Sequence, residues 1–144
     1  MDSIVNVLTR DHRRCDELFA RVEADVARGD LAAAAGGFAE FARAMERHLA
    51  FEEQALFPAV EEATGQQAGP TEVMRLEHAQ MRTLFQEMAR ALTSPEAQRY
   101  LGLSETLLIL LQQHNMKEEH ILYQLADATL GEQGARLLER LARA

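Results

Sequence analysis

The chain matches itself at an offset of 66 residues. His12 aligns with His78, His48 with His114 and Glu52 with Glu118. The neighbours follow at the same offset: Leu18 and Leu84, Phe19 and Phe85, Glu53 and Glu119, Leu56 and Leu122, Phe57 and Tyr123. A sequence written twice from one unit folds as two copies of one supersecondary element, stacked so that each buries the other's apolar face.

That element is a helical hairpin. The chain is rich in Ala, Leu, Glu, Arg and Met, has no Trp, and shows no run of alternating apolar and polar residues. Ser3 can cap a first helix running to about Arg28, which Gly29 can end. Asp30 can cap a second helix from about Leu31 to Glu62, with Gly36-Gly37 weakening its first turns and Pro58 bending or shortening its end. Thr64 to Gly69 reads as a loop, and Pro70 opens a third helix to about Leu92. Ser94-Pro95 starts a fourth helix to about Thr129. Beyond Gly131 and Gly134, an amphipathic tail at 135–144 makes a short fifth helix. The expected fold is all-α: an antiparallel up-down four-helix bundle with a C-terminal fifth helix. It forms one domain over residues 1–144, with hairpins at about 3–63 and 70–129.

Each long helix carries an apolar seam at spacings of four and three. The seams are Leu8, His12, Cys15, Phe19 in the first; Met45, His48, Glu52, Ala55 in the second; Met74, His78, Met81, Phe85 in the third; and Leu111, His114, Glu118, Ile121, Leu125 in the fourth. Four of five histidines and two glutamates therefore lie in core positions, where uncompensated charge is costly.

Register brings them together. In an antiparallel hairpin, residues equidistant from the turn share a level. The midpoint of His12 and His48 is Asp30, that of His78 and His114 is Glu96, and that of His48 and His78 is Ala63, each at or beside a turn signal. Glu52 and Glu118 then sit about 6 Å further along on the same faces. Four imidazoles and two carboxylates in a bundle core suit two first-row transition metals, iron first, with manganese or zinc as substitutes. Two ions about 3.5–4 Å apart can be bridged by both glutamates. Each would take two histidines, an oxygen from each glutamate and a shared oxo or hydroxo. Met45, Met81, Leu111 and Ile121 would line the pocket.

Other residues read more plainly. His120, about 120° from the seam, is a surface residue. Tyr123 is off the seam and has no direct role. Cys15 is a small core residue. Asp11, Glu53, Glu77 and Glu119 form a solvated acidic face, the alternative being that some accept a ligand histidine's other N–H.

The pattern His12 … His48-x3-Glu52 … His78 … His114-x3-Glu118 resembles the hemerythrin-like HHE cation-binding proteins, as do the phrases His48-Leu-Ala-Phe-Glu52-Glu53-Gln-Ala-Leu-Phe57-Pro58 and Glu77-His78. The resemblance implies a carboxylate-bridged di-iron centre. Its known activities are reversible oxygen binding, oxygen or nitric oxide sensing, and repair of damaged iron–sulfur centres. Oxygen-carrying hemerythrins take a fifth histidine from a His-x3-His pair on the third helix. Here the positions four before and four after His78 are Met74 and Arg82. The four-histidine, two-glutamate set is closer to the repair proteins, whose extra N-terminal cysteine-bearing segment this sequence does not show. Oxygen carriers place the last acid five residues after the histidine, which would select Glu119; the internal repeat selects Glu118.

The expected function is binding of a diatomic ligand, oxygen or nitric oxide, at the metal pair. The alternative is a di-iron oxidoreductase acting on nitric oxide, peroxide or oxygen, or an iron donor in repair, with an electron-transfer or iron-acceptor protein as partner. A net charge of −8 argues against nucleic acid and anionic membranes. A start without a basic-then-apolar stretch and a lone cysteine make the expected location cytoplasmic.

Overall fold

The computed structural model describes residues 2–94 and 96–143. All regular structure among them is helical. The helices are α1 (Ile4–Ala27), α2 (Leu31–Phe51), α3 (Phe57–Thr64), α4 (Pro70–Thr93), α5 (Ala97–Lys117), α6 (Tyr123–Leu130) and α7 (Glu132–Arg143). Two π-helical turns, π1 (Glu52–Leu56) and π2 (Glu118–Leu122), join α2 to α3 and α5 to α6 without a break. Four long rods therefore run up and down, α1 beside α2, α2 beside α4, α4 beside α5, and α5 back beside α1. The α7 helix packs across the α1 and α6 end of the bundle.

Local chemistry explains the boundaries. The Ser3 hydroxyl accepts from the Asn6 N–H at 3.0 Å, and the Asp30 carboxylate from the Ala33 N–H at 3.1 Å. Each cap stabilises its helix by about 1 kcal/mol. The Asp127 carboxylate accepts from the N–H groups of Ile4 and Val5 at 2.9 and 3.1 Å, satisfying two more of the amides that every helix start leaves unpaired. Gly29 takes φ 77° at the end of α1, a conformation that costs glycine least.

Three boundaries add detail to the sequence reading. The second rod runs past Pro58 to Thr64, close to the expected end at Glu62. Phe57 already bonds back to the Glu52 carbonyl across π1, and such a wide turn leaves a carbonyl without a helical donor, so the missing N–H of Pro58 is tolerated there. Ser94 closes α4 by donating its N–H to the Arg90 carbonyl, and Glu96 stands at the start of α5; Pro95 lies outside the described residues. The fifth helix begins at Glu132 because Gly131, at φ 54°, makes the turn alone. Gly134 sits inside α7, where an added Cβ would stand 3.0 Å from Ile4 Cδ1. Ala144 also lies outside the described residues. No described helix is long and apolar enough to cross a membrane.

The apolar core has two parts. One holds Cys15, Phe19, Phe41, Met45, Met81, Phe85 and Leu111 among others. The other gathers Leu8, Leu56, Phe57, Met74, Leu122 and Tyr123 with the α7 residues Leu137 and Leu141. Burial of each large side chain contributes about 1.5–3 kcal/mol. Every seam histidine falls at the junction: His12 between Leu8 and Cys15, His78 between Met74 and Met81, His48 after Met45, His114 after Leu111.

Candidate metal centre

The junction is a polar layer. His12, His48, His78 and His114 come one from each rod, and Glu52 and Glu118 are the first residues of π1 and π2; all six are buried. The imidazoles pair across the hairpins, His12 with His48 at 4.7 Å between ring centroids and His78 with His114 at 5.0 Å. Two sets of donor atoms result, His12, His48, Glu52, Glu118 and His78, His114, Glu52, Glu118, each with its atoms within 4.8 Å of one another. Both glutamates belong to both sets. The structure thus brings all six expected residues together, with Glu118 rather than Glu119 in the cluster.

The outward nitrogen of every imidazole is tethered. His12 Nδ1–H donates to Glu119 and His48 to Asp11, both at 2.7 Å. His78 donates to Glu53 and His114 to Glu77, both at 2.8 Å. The flanking acids are therefore not a merely solvated face, as the sequence reading favoured; each orients one ring. Three are themselves held by a cation: Asp11 by Arg14, Glu77 by Lys117, and Glu53 by Arg82, which also grips Glu46. The arrangement obeys the repeat, since Asp11 to His48 becomes Glu77 to His114 under the 66-residue shift.

A proton fixed on Nδ1 leaves the Nε2 lone pair of a neutral imidazole facing inward. Those nitrogens meet carboxylate oxygens: His12 and Glu118 at 3.1 Å, His78 and Glu52 at 3.1 Å, His114 and Glu118 at 3.2 Å, His48 and Glu52 at 3.4 Å. Only a proton or a metal cation between them makes such pairs attractive. Burial alone would lower the proton affinity of His48, but the Glu52 carboxylate and the bond to Asp11 raise its pKa well above the ordinary value. His12 and His114 are shifted upward against burial in the same way, by Glu118 above all. For Glu52, burial is outweighed by His48 and His78, which hold its pKa well below the carboxylate range. Asp11, despite burial, is held down to about 2 by His48 and Arg14. Six carboxylates around four imidazoles make a field that attracts cations.

Tyr123 is the residue sequence reasoning missed. It is fully buried, and its hydroxyl donates to Glu52 Oε2 at 2.6 Å while lying 2.9 Å from Glu118 Oε1, 3.1 Å from His12 Nε2 and 3.2 Å from His48 Nε2. Burial and the two carboxylates push its pKa well up, so it remains a phenol. An α-helix would place Tyr123 about 140° from Glu118. The wide π2 turn brings it back to the same face, bonding Tyr123 N–H to the Glu118 carbonyl. The same turn corrects a second expectation: Ile121 does not line the pocket but is 56% exposed, and Leu122 is buried in its place. For Tyr123 the signal was the repeat, which pairs it with Phe57. His120 is on the surface. Cys15 is buried, which pushes its thiol up to about 11, as suits a core residue.

The donor set fits metal cations on a direct observation. Glu52 Oε1, Glu118 Oε2, His78 Nε2 and His114 Nε2 are buried and have no hydrogen-bond partner among the described residues. Each such atom costs about 1–3 kcal/mol when nothing satisfies it. Searches of curated proteins and of solved structures give no match. The model of the hemerythrin HHE cation-binding domain matches residues 3–126, a span that includes all six clustered side chains and Tyr123, and the chain belongs to that family.

Proposed function

We propose that the chain is a non-haem di-iron protein that binds oxygen or nitric oxide at its metal pair. His12 and His48 would hold one ion, His78 and His114 the other, and Glu52 and Glu118 would bridge them. Manganese and zinc fit the same donors and would compete with iron. Iron held by imidazole and carboxylate supplies redox chemistry and affinity for diatomic molecules.

The observation that carries this reading is the doubly shared carboxylate pair: two four-residue donor sets, both containing Glu52 and Glu118. The residues around it do the rest. Asp11, Glu53, Glu77 and Glu119 hold each imidazole in the tautomer that aims Nε2 inward. The apolar clusters on either side keep bulk water from the polar layer. One observation favours a second reading, a redox enzyme or an iron donor working with a partner protein. The Tyr123 hydroxyl places a proton donor among the inner atoms, where a reduced ligand could take it up.

The test is to load the protein anaerobically with ferrous iron, assay the iron, and follow the visible spectrum on adding oxygen. About two irons per chain and an absorption band that vanishes on degassing are expected. Rapid irreversible oxidation of the iron would move the assignment to the enzyme. Failure to retain iron would overturn both readings.

A further inference from the structure

The internal repeat makes each seam of the bundle a control for the other. Asp16, Phe19, Ala20, Leu108 and Gln112 line a groove between α1 and α5. Shifted by 66 residues they become Arg82, Phe85, Gln86, Ala42 and Glu46, which line a groove between α2 and α4. The two grooves are copies of unequal volume, about 740 Å³ against 330 Å³. The larger runs on along π2 to Glu119 and His120. The smaller is lined by Arg82 but does not reach Glu53, the counterpart of Glu119.

The difference centres on one position. In the α2/α4 seam, the Arg82 guanidinium donates to Glu46 at 3.0 and 2.9 Å and to Glu53 at 2.7 and 3.0 Å. That grip bridges the seam and pins the carboxylate that holds His78. In the α1/α5 seam the same place belongs to Asp16, a carboxylate, which repels Glu119 instead of gripping it. Partial desolvation pushes the Asp16 carboxyl up; His12 pulls it back, and the like charge of Glu119 adds to the rise. Among the described residues, no Lys or Arg pairs with Glu119, and Arg13 and His120 act on it only from a distance. The other three tethering acids are each held by a cation. His12 is also the ring nearest to water, 5% exposed where its counterpart His78 is 0%.

We infer that the α1/α5 groove is the path by which a divalent metal cation reaches the buried donors, with His12 as its door and Glu119 as the latch. The inference rests on the proposed metal pair. The six inner side chains lie between two apolar clusters, so a cation needs a polar way in. A groove walled by carboxylates favours cations over neutral molecules. Of the four imidazoles, only His12 is tethered by an acid that no other group pins. Once Glu119 releases Nδ1, the ring is free to turn, and the Glu118 Oε1 that lies 3.1 Å from its Nε2 is uncovered. Passage therefore costs one charge-assisted hydrogen bond and a side-chain rotation, with no movement of a helix.

The test is zinc exchange in the full chain, zinc being redox-silent. Uptake by the metal-free protein and release to an excess of chromophoric chelator are timed for wild type and variants. Release should begin with the ion of the His12 half. Asp16→Arg installs the residue that the other groove carries. It should grip Glu119 and slow both uptake and this first release by about tenfold or more, the effect of one charge-assisted bond on a barrier. Because the two rates fall together, the affinity should move less than either. Glu17→Arg makes the same charge change on an exposed residue outside the groove and should leave both rates as they are. If Asp16→Arg does not fold, Ala20→Gln, also copied from the narrower groove, should slow the same steps. Rates indifferent to the groove variants, or slowed equally by Glu17→Arg, would overturn the path while leaving the metal pair standing. A chain that takes up no zinc would overturn both.

Discussion

The two halves of the polar layer are copies whose inner atoms differ at one position, Phe57 against Tyr123. In the half formed by His12 and His48, the residue closing π2 is Tyr123, whose hydroxyl reaches both imidazoles and both glutamates. In the half formed by His78 and His114, the equivalent residue is Phe57, which offers only a ring face to His78 at 5.5 Å and to the Arg75 guanidinium at 5.3 Å. The inner atoms left without a hydrogen bond are all on the Phe57 side or on the glutamate oxygens turned toward it. One half can thus be partly satisfied by the protein's own hydroxyl. Among the described residues, no hydroxyl does the same for the other. Duplication supplied the donors twice, and a single hydroxyl makes them inequivalent.

The strongest way to break the comparison is to remove what the halves share. Glu52→Ala should abolish binding of both ions and lower the melting temperature by on the order of 10 °C, since losing one partner of a buried charged network costs about 3–5 kcal/mol. His114→Ala should remove only the ion of its own half, leaving about one metal per chain. His120→Ala, on the surface, should change neither. Metal analysis and thermal melts of the three variants decide the matter. Equal losses from Glu52→Ala and His114→Ala would mean that the halves do not bind separately, and metal loss from His120→Ala would mean that the ligands are misassigned.

A finer cut acts through the tethers. Asp11→Asn loosens His48 in the tyrosine half, and Glu77→Gln loosens His114 in the phenylalanine half, at positions related by the repeat. Each should weaken metal binding about 10–100-fold without unfolding the protein, as losing the carboxylate partner of a ligating histidine does. Competition against a chromophoric chelator reads the change. The larger loss is expected from Glu77→Gln, because Tyr123 still braces the other half. A larger loss from Asp11→Asn would reverse the assignment of the better-braced half.

The bundle and its six inner residues were legible because both rest on counting. Heptad spacing puts His12, His48, His78 and His114 on core faces, and the distances to Asp30, Ala63 and Glu96 put them at one level. What escaped was whatever depends on a local change of helical pitch. Beyond Glu118, counting at 3.6 residues per turn sends Ile121 inward and Tyr123 aside, the reverse of their placement. Nothing in Glu-Glu-His-Ile-Leu announces a π turn by itself. Its sign was indirect: the repeat keeps an aromatic residue five positions after each buried glutamate, at Phe57 and Tyr123, which an α-helix would have no reason to retain. The flanking acids escaped for a related reason. Asp11 and Glu77 precede the histidines of their own helices but serve those of the neighbouring helix, so adjacency in sequence does not name the ring that each acid holds.

The smallest expected effect sharpens the comparison most. Tyr123→Phe makes the inner atoms of the two halves alike, since Phe already stands at the equivalent position, and it removes one hydroxyl from a site that can still collect every proposed ligand. In the metal-free protein, Glu52 Oε2 and His48 Nε2 lose their hydrogen bond to the hydroxyl, so stability should fall by about 1–3 kcal/mol. In the loaded protein, the ions would satisfy the same oxygens and nitrogens, and the loss should be smaller. Melting the wild type and variant with and without zinc, a redox-silent substitute, separates the two contributions. The same samples test inequivalence: zinc should load the wild type in two resolved steps and the variant in steps drawn closer together. Identical titrations would show that the hydroxyl does not distinguish the halves. A variant destabilised equally with and without metal would make Tyr123 a packing residue whose bond to Glu52 is incidental to the ions.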